Sequence, residues 1–66
     1  MPVTVASEID VKIGANLRGR REAIGMTQAQ LGQAIGVTFQ QVQKYERGAN
    51  RISAAALLRI ADALEC

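Results

Sequence analysis

The residues able to do chemistry are few, and their types point away from catalysis. The 66-residue chain has no histidine, and its single cysteine is its last residue, Cys66. A histidine/cysteine zinc site and an internal disulfide are both excluded. The acidic residues form no evident converging pair, so general acid–base and nucleophilic mechanisms lack their participants. No enzyme activity, metal or cofactor is expected. What remains is hydrogen bonding and charge. All six glutamines, Gln28, Gln30, Gln33, Gln40, Gln41 and Gln43, fall in one stretch. Between Lys12 and Arg51 seven basic residues (Lys12, Arg18, Arg20, Arg21, Lys44, Arg47 and Arg51) face two acidic ones, Glu22 and Glu46, a net +5 against +2 for the whole chain. Such a distribution suits a polyanion-facing side, or simply a solvated helical surface.

These side chains must be carried by a small scaffold. Sixty-six residues make one domain, with a marginal core that buries about 60% of the unfolded surface. With one Tyr, one Phe and no Trp, aliphatic side chains fill it. No apolar run approaches the roughly 18 residues of a membrane span, and no signal-peptide pattern opens the chain. The cysteine usage suits a reducing, cytoplasmic compartment. Residues 1–7 read as a flexible N-terminal arm and 8–66 as the domain.

Start and stop signals divide that domain into four helices. Ser7 with Asp10 opens the first, whose apolar face is Ile9, Ile13, Leu17 and Ile24, and Gly25 stops it. Thr27 with Gln30 is a capping box for the second, with Leu31, Ala34 and Ile35 as its apolar face and Gly36 as its end. Thr38 with Gln41 repeats the device for a third helix, from about Phe39 to Glu46, that buries Val42 and Tyr45 and closes at Gly48. Ser53 starts the fourth, with a buried stripe of Leu57, Ile60, Ala61 and Leu64. The link Gly36-Val37-Thr38 is too short for a comfortable antiparallel return and forces a sharp crossing of the second and third helices. Numbered from Gln28, apolar residues fill the fourth, eighth, tenth, fifteenth and eighteenth places: Leu31, Ile35, Val37, Val42 and Tyr45. Gly32 is small where the helices cross, and Gly36 tolerates the positive φ of the turn. The pattern is that of a helix-turn-helix over about 28–47.

The runs from Ile24 to Thr38, from Val42 to Gly48, and Ile52-Ser53 with Leu57 to Leu64 resemble the phage-repressor/Cro-like helix-turn-helix family, also called the xenobiotic-response-element family. The resemblance covers about Ile9 to Leu64. It implies an all-α, lambda-repressor-like DNA-binding domain, here of four helices where the family has five. The family turns into its fifth helix where this chain ends, so the chain is either a trimmed fragment or a short member. The resemblance further implies a bacterial, cytoplasmic (nucleoid-associated) transcriptional regulator of the repressor kind. It would bind double-stranded DNA as a homodimer on a pseudo-palindromic operator, its recognition helices in successive major grooves about 34 Å apart. The alternative is a protein-interaction module, or an antitoxin-type regulator, that keeps the fold with weak or no DNA binding.

The third helix is the expected reading head. Thr38, Phe39, Gln40, Gln41, Gln43 and Lys44 lie on or near its outward face; glutamine can pair bidentately with adenine N6 and N7, and Gln40 and Gln41 are the ones expected to touch bases. Polar surface helices also carry glutamine for propensity alone. Lys44 can reach a phosphate or a guanine. Phe39 either meets a thymine methyl group or packs on the second helix or a partner protein. The free N–H groups that Thr27 and Thr38 cap are natural phosphate ligands. By resemblance, Gln28 contacts the DNA backbone and buttresses the recognition helix. Arg47, Asn50 and Arg51 lie in a phosphate-contacting loop, and Arg21 and Glu46 form a structural ion pair. Lys12, Arg18, Arg20 and Arg59 read as solvated.

Overall fold

The computed structural model describes residues 8–65. Over them run four helices, α1 (Glu8–Ala23), α2 (Gln28–Ile35), α3 (Phe39–Arg47) and α4 (Ala54–Ala63), with no strand among the described residues. The expected arm, the Ser7 cap and Cys66 lie outside the described residues.

Local chemistry sets the helix starts. At α2 the capping box is complete: the Gln30 N–H donates to Thr27 Oγ1 at 3.0 Å, and the Thr27 N–H donates to Gln30 Oε1 at 2.8 Å. At α3 only the cap half forms, from the Gln41 N–H to Thr38 Oγ1 at 3.2 Å. Ser53 Oγ accepts from the Ala56 N–H at 3.1 Å and opens α4. Each cap contributes about 1 kcal/mol by satisfying a donor that the helix leaves free. Between α2 and α3 the chain turns at Gly36, whose φ of 81° is left-handed, and the Val37 N–H returns to Gly32 O at 2.8 Å. A Cβ on Gly32 would lie 2.6 Å from Val37 O, so the tight turn depends on the bare backbone there.

The core consists of Leu17, Leu31, Ile35, Val42, Ile60 and Leu64, with Leu31 and Val42 fully enclosed. Met26, Val37, Tyr45, Ile52 and Ala63 pack around it. Here α1 departs from its sequence reading. Ile9 is 69% exposed and Ile24 is also exposed, whereas the face turned inward is Asp10, Gly14, Leu17 and Arg21. The cause is the approach of α3. A Cβ on Gly14 would fall 2.6 Å from the Glu46 carbonyl oxygen and against that of Tyr45, so backbone meets backbone at this crossing. The rotation of α1 follows from that contact and from the buried Arg21, not from its isoleucines.

Smaller corrections follow the same geometry. Ala34 is exposed, Ala61 and Tyr45 are only half-buried, and Leu57 is exposed at 42%. Ile13 and Leu57 edge an open apolar groove between α1 and α4, floored by Leu17, Ile60 and Leu64, with a volume of about 220 Å³. Arg20 is not merely solvated. Its Nε donates to Leu64 O at 3.1 Å and its Nη2 to Glu65 O at 3.5 Å, tying α1 to the two backbone carbonyls that directly follow α4. Arg18 pairs with Glu22 one turn on, at 3.0 Å, on an exposed face where such pairs contribute little.

Candidate nucleic-acid interface

The third helix has a strongly divided circumference. Val42 and Glu46 are buried, Gln41, Gln43 and Tyr45 are half-buried, and Phe39, Gln40, Lys44 and Arg47 are exposed. Gln40, Lys44 and Arg47 are spaced four and three apart, so they form one outward stripe carrying an amide and two cations. Phe39 stands beside its start, 45% exposed, directly after the exposed cap Thr38. Gln41 and Gln43, grouped with the outward residues in the sequence reading, flank the stripe rather than crown it. Arg47 is the last residue of α3 and not part of the following loop. Asn50 and Arg51 are exposed in that loop.

A buried ion pair fixes the angle at which α3 is held. Arg21 Nε donates to Glu46 Oε2 at 2.5 Å, and Arg21 Nη2 donates to Glu46 Oε1 at 3.2 Å. Both residues are 8% exposed. The third arm of the guanidinium, Nη1, donates to Met26 O at 2.7 Å, so one side chain joins the end of α1, the entry to α2 and the end of α3. The Glu46 hydrogen bond raises the Arg21 pKa above the usual arginine range. Burial opposes that shift, and the charges of Glu46 and Glu22 reinforce it. The pairing expected from resemblance is therefore present in a bidentate, desolvated form, the strong geometry for such a pair.

The pair extends into a chain of amides. Gln28 Nε2 donates to Glu46 Oε1 at 3.0 Å, and Gln43 Nε2 donates to Gln28 Oε1 at 3.2 Å. Gln28, the first residue of α2, thus buttresses α3 through two of its side chains. An open polar groove of about 550 Å³ lies over this network, walled by Arg18, Arg21, Gln28, Gln43, Glu46 and Arg47. Arg18, Arg21 and Arg47 against Glu46 and the adjoining Glu22 leave these surroundings with one net positive charge. The Gln28–Gln43 link and the Arg18 wall escape sequence reading, because their partners are far apart in the chain and nothing local announces them.

The arrangement can present hydrogen-bonding side chains and cations on the exposed face of α3. The helix-turn-helix family model matches residues 17–66. The chain belongs to the helix-turn-helix family. Its kind is the phage-repressor/Cro-like one, with the all-α, lambda-repressor-like fold. An uncharacterised HTH-type transcriptional regulator of Sinorhizobium fredii is 57% identical over 60 residues, covering 91% of this chain and 42% of the relative. The cryptic phage CTXphi transcriptional repressor RstR of Vibrio cholerae is 42% identical over 55 residues, covering 83% of this chain and 49% of the relative. The chain thus spans less than half the length of these two relatives. Among solved structures, the restriction-modification controller protein C.AhdI of Aeromonas hydrophila superposes with a TM-score of 0.80 at 36% identity, over 83% of this chain and 80% of that one. The clp gene regulator ClgR of Corynebacterium glutamicum superposes with a TM-score of 0.88 at 28% identity, over 92% and 65%.

Proposed function

We propose that this helix-turn-helix domain is a sequence-specific double-stranded DNA binder of a transcriptional regulator, of the repressor kind, that lays α3 in the major groove. The observation that carries the reading is the exposed Gln40, Lys44 and Arg47 stripe on a helix whose opposite side is locked by the Arg21–Glu46 pair. An amide followed along the helix by two cations suits a base edge bordered by phosphates. The naming of RstR as a repressor supports the regulatory sense.

In this reading Gln40 contacts a base, Gln41 and Phe39 line the groove walls, and Gln43 lies beside Gln40 within reach of the base edges. Lys44 meets a guanine or a phosphate. Gln28, Thr38, Arg47, Asn50 and Arg51 contact the backbone. The protein acts as a cytoplasmic homodimer on a pseudo-palindromic operator, with no catalytic step. Occupancy alone alters access of the polymerase.

Selection from a random duplex library, followed by titration of the winning site at two salt concentrations, tests this. A recovered half-site bound at least about 10³-fold more tightly than random DNA supports it. No enriched sequence and no salt-dependent binding at micromolar protein would overturn it in favour of a protein-interaction module.

A further inference from the structure

The amide chain beneath α3 has a direction, and that direction has a consequence for base choice. The inference rests on the DNA-binding reading above. Ionised Glu46 only accepts hydrogen bonds. Its Oε1 receives Gln28 Nε2 at 3.0 Å, which turns Gln28 Oε1 the other way, toward Gln43. Gln28 Oε1 in turn only accepts, so Gln43 must offer its nitrogen, at 3.2 Å. Reversing either amide would set oxygen against oxygen or N–H against N–H. The carboxylate, held on its far side by Arg21, thereby sets the orientation of an amide two links away.

From this we infer that Gln43 is a specificity-determining residue, polarised by the Glu46–Gln28 relay so that it recognises the exocyclic amino group of adenine or cytosine. One N–H of Gln43 is committed inward; the second stays uncommitted among the described residues and can join Oε1 in a bidentate pairing with adenine N6 and N7, the best match for the held amide. Among the described residues nothing donates to its Oε1, which is left for a ligand on the flank of the outward stripe. In the major groove an acceptor complements adenine N6 or cytosine N4, whereas guanine O6 and N7 and thymine O4 are themselves acceptors. A free glutamine can swing its amide to suit either class. This one is held. Gln28 and Glu46 are positioning residues, and Gln43 is the residue that reads.

The test compares base preference at each position of the selected duplex for the unaltered protein, Gln43→Met and Gln28→Met, with thermal unfolding followed for all three. Gln43→Met should erase a preference for adenine or cytosine at one base pair, expected at about tenfold from the worth of a good base contact. Gln28→Met, which keeps side-chain length and leaves the Thr27 cap intact, should reduce the preference at that same base pair to about twofold or less, in addition to the uniform loss on every duplex that follows from its own backbone contact. A merely structural role would weaken every sequence by one factor, and that outcome would overturn the inference. So would a guanine or thymine preference lost in Gln43→Met, or an unchanged preference in a folded Gln28→Met. If Gln28→Met does not fold, Gln43→Met decides by the base it stops reading. Failure of the unaltered protein to bind any duplex selectively would instead overturn the DNA-binding reading, and the inference with it.

Discussion

Truncating Glu46 to alanine should cost this domain a large share of its stability. The carboxylate is buried, accepts two hydrogen bonds from Arg21 and a third from Gln28, and faces a guanidinium that is itself buried. Its loss leaves Arg21 with Met26 O and a distant contact to Glu22 at 3.9 Å. Stranding one charge of a desolvated pair costs about 3–5 kcal/mol. A 66-residue domain has a total stability of about 3–10 kcal/mol. Glu46→Ala should therefore lower the Tm by at least about 12 °C. Arg21→Met/Glu46→Leu removes both charges while keeping volume, and it should recover most of the loss, because well-packed apolar pairs replace buried ion pairs at little cost. Circular dichroism melts of the parent, Arg21→Met, Glu46→Leu and the double variant close a cycle that gives the coupling, expected to be at least about 1 kcal/mol. The pH dependence has a definite sign. The folded-state Arg21 pKa is raised above its unfolded value, so the contribution is complete below the unfolded value and is lost only as pH rises through the folded one. The pair should cause no loss of stability up to about pH 10. A Glu46→Ala protein within about 0.5 kcal/mol of the parent, or a double variant no better than the worse single, would show that the buried pair does not hold α3 in place.

Two glycines of α1 should respond oppositely to alanine. At Gly14 a Cβ meets the α3 backbone at 2.6 Å, so Gly14→Ala should destabilise by about 1–3 kcal/mol, whereas Gly19 has open space and Gly19→Ala should stabilise by up to about 1 kcal/mol, both read from denaturant melts. Thr27→Ala, which removes the acceptor half of the α2 capping box, should cost about 1 kcal/mol in the same assay. Gln40→Ala should lose about 1–3 kcal/mol on the selected site and relax preference at one base pair, measured by competition with single-base variants; equal weakening on all sequences would remove it from base contact. Arg51→Ala should weaken all duplexes alike and reduce the slope of log affinity against log salt by about 1. An unchanged slope would make Arg51 a solvated side chain.

Short-range signals were legible in the sequence, and long-range ones were not. Thr27, Thr38 and Ser53 mark helix starts because a cap acts within three residues, and Gly36 and Gly48 mark ends because a left-handed residue is a local requirement. The crossing at Gly32 was legible because both helices lie within one short motif. The face of α1 was not. Hydrophobic spacing selects Ile9, Ile13, Leu17 and Ile24, but the buried residues Asp10, Gly14, Leu17 and Arg21 are chosen by contact with α3, some thirty residues away. Arg20 looked solvated because its partners, Leu64 O and Glu65 O, are backbone atoms with no side-chain signature. In the candidate site, Arg21 and Glu46 were legible through family resemblance and Gln40 and Lys44 through helical spacing. The relay through Gln28 to Gln43 depends on hydrogen-bond direction, which spacing does not encode.

In the proposed function the outward stripe of α3 meets DNA. The most direct measurement is the change in backbone and glutamine side-chain amide NMR signals as the selected duplex is added to the labelled protein. The largest changes should fall on Thr38 to Lys44, Arg47, Gln28 and the loop holding Asn50 and Arg51, with the side-chain amide of Gln40 among them. Changes concentrated on the α1–α4 groove around Ile13 and Leu57, with α3 silent, would contradict the proposed function.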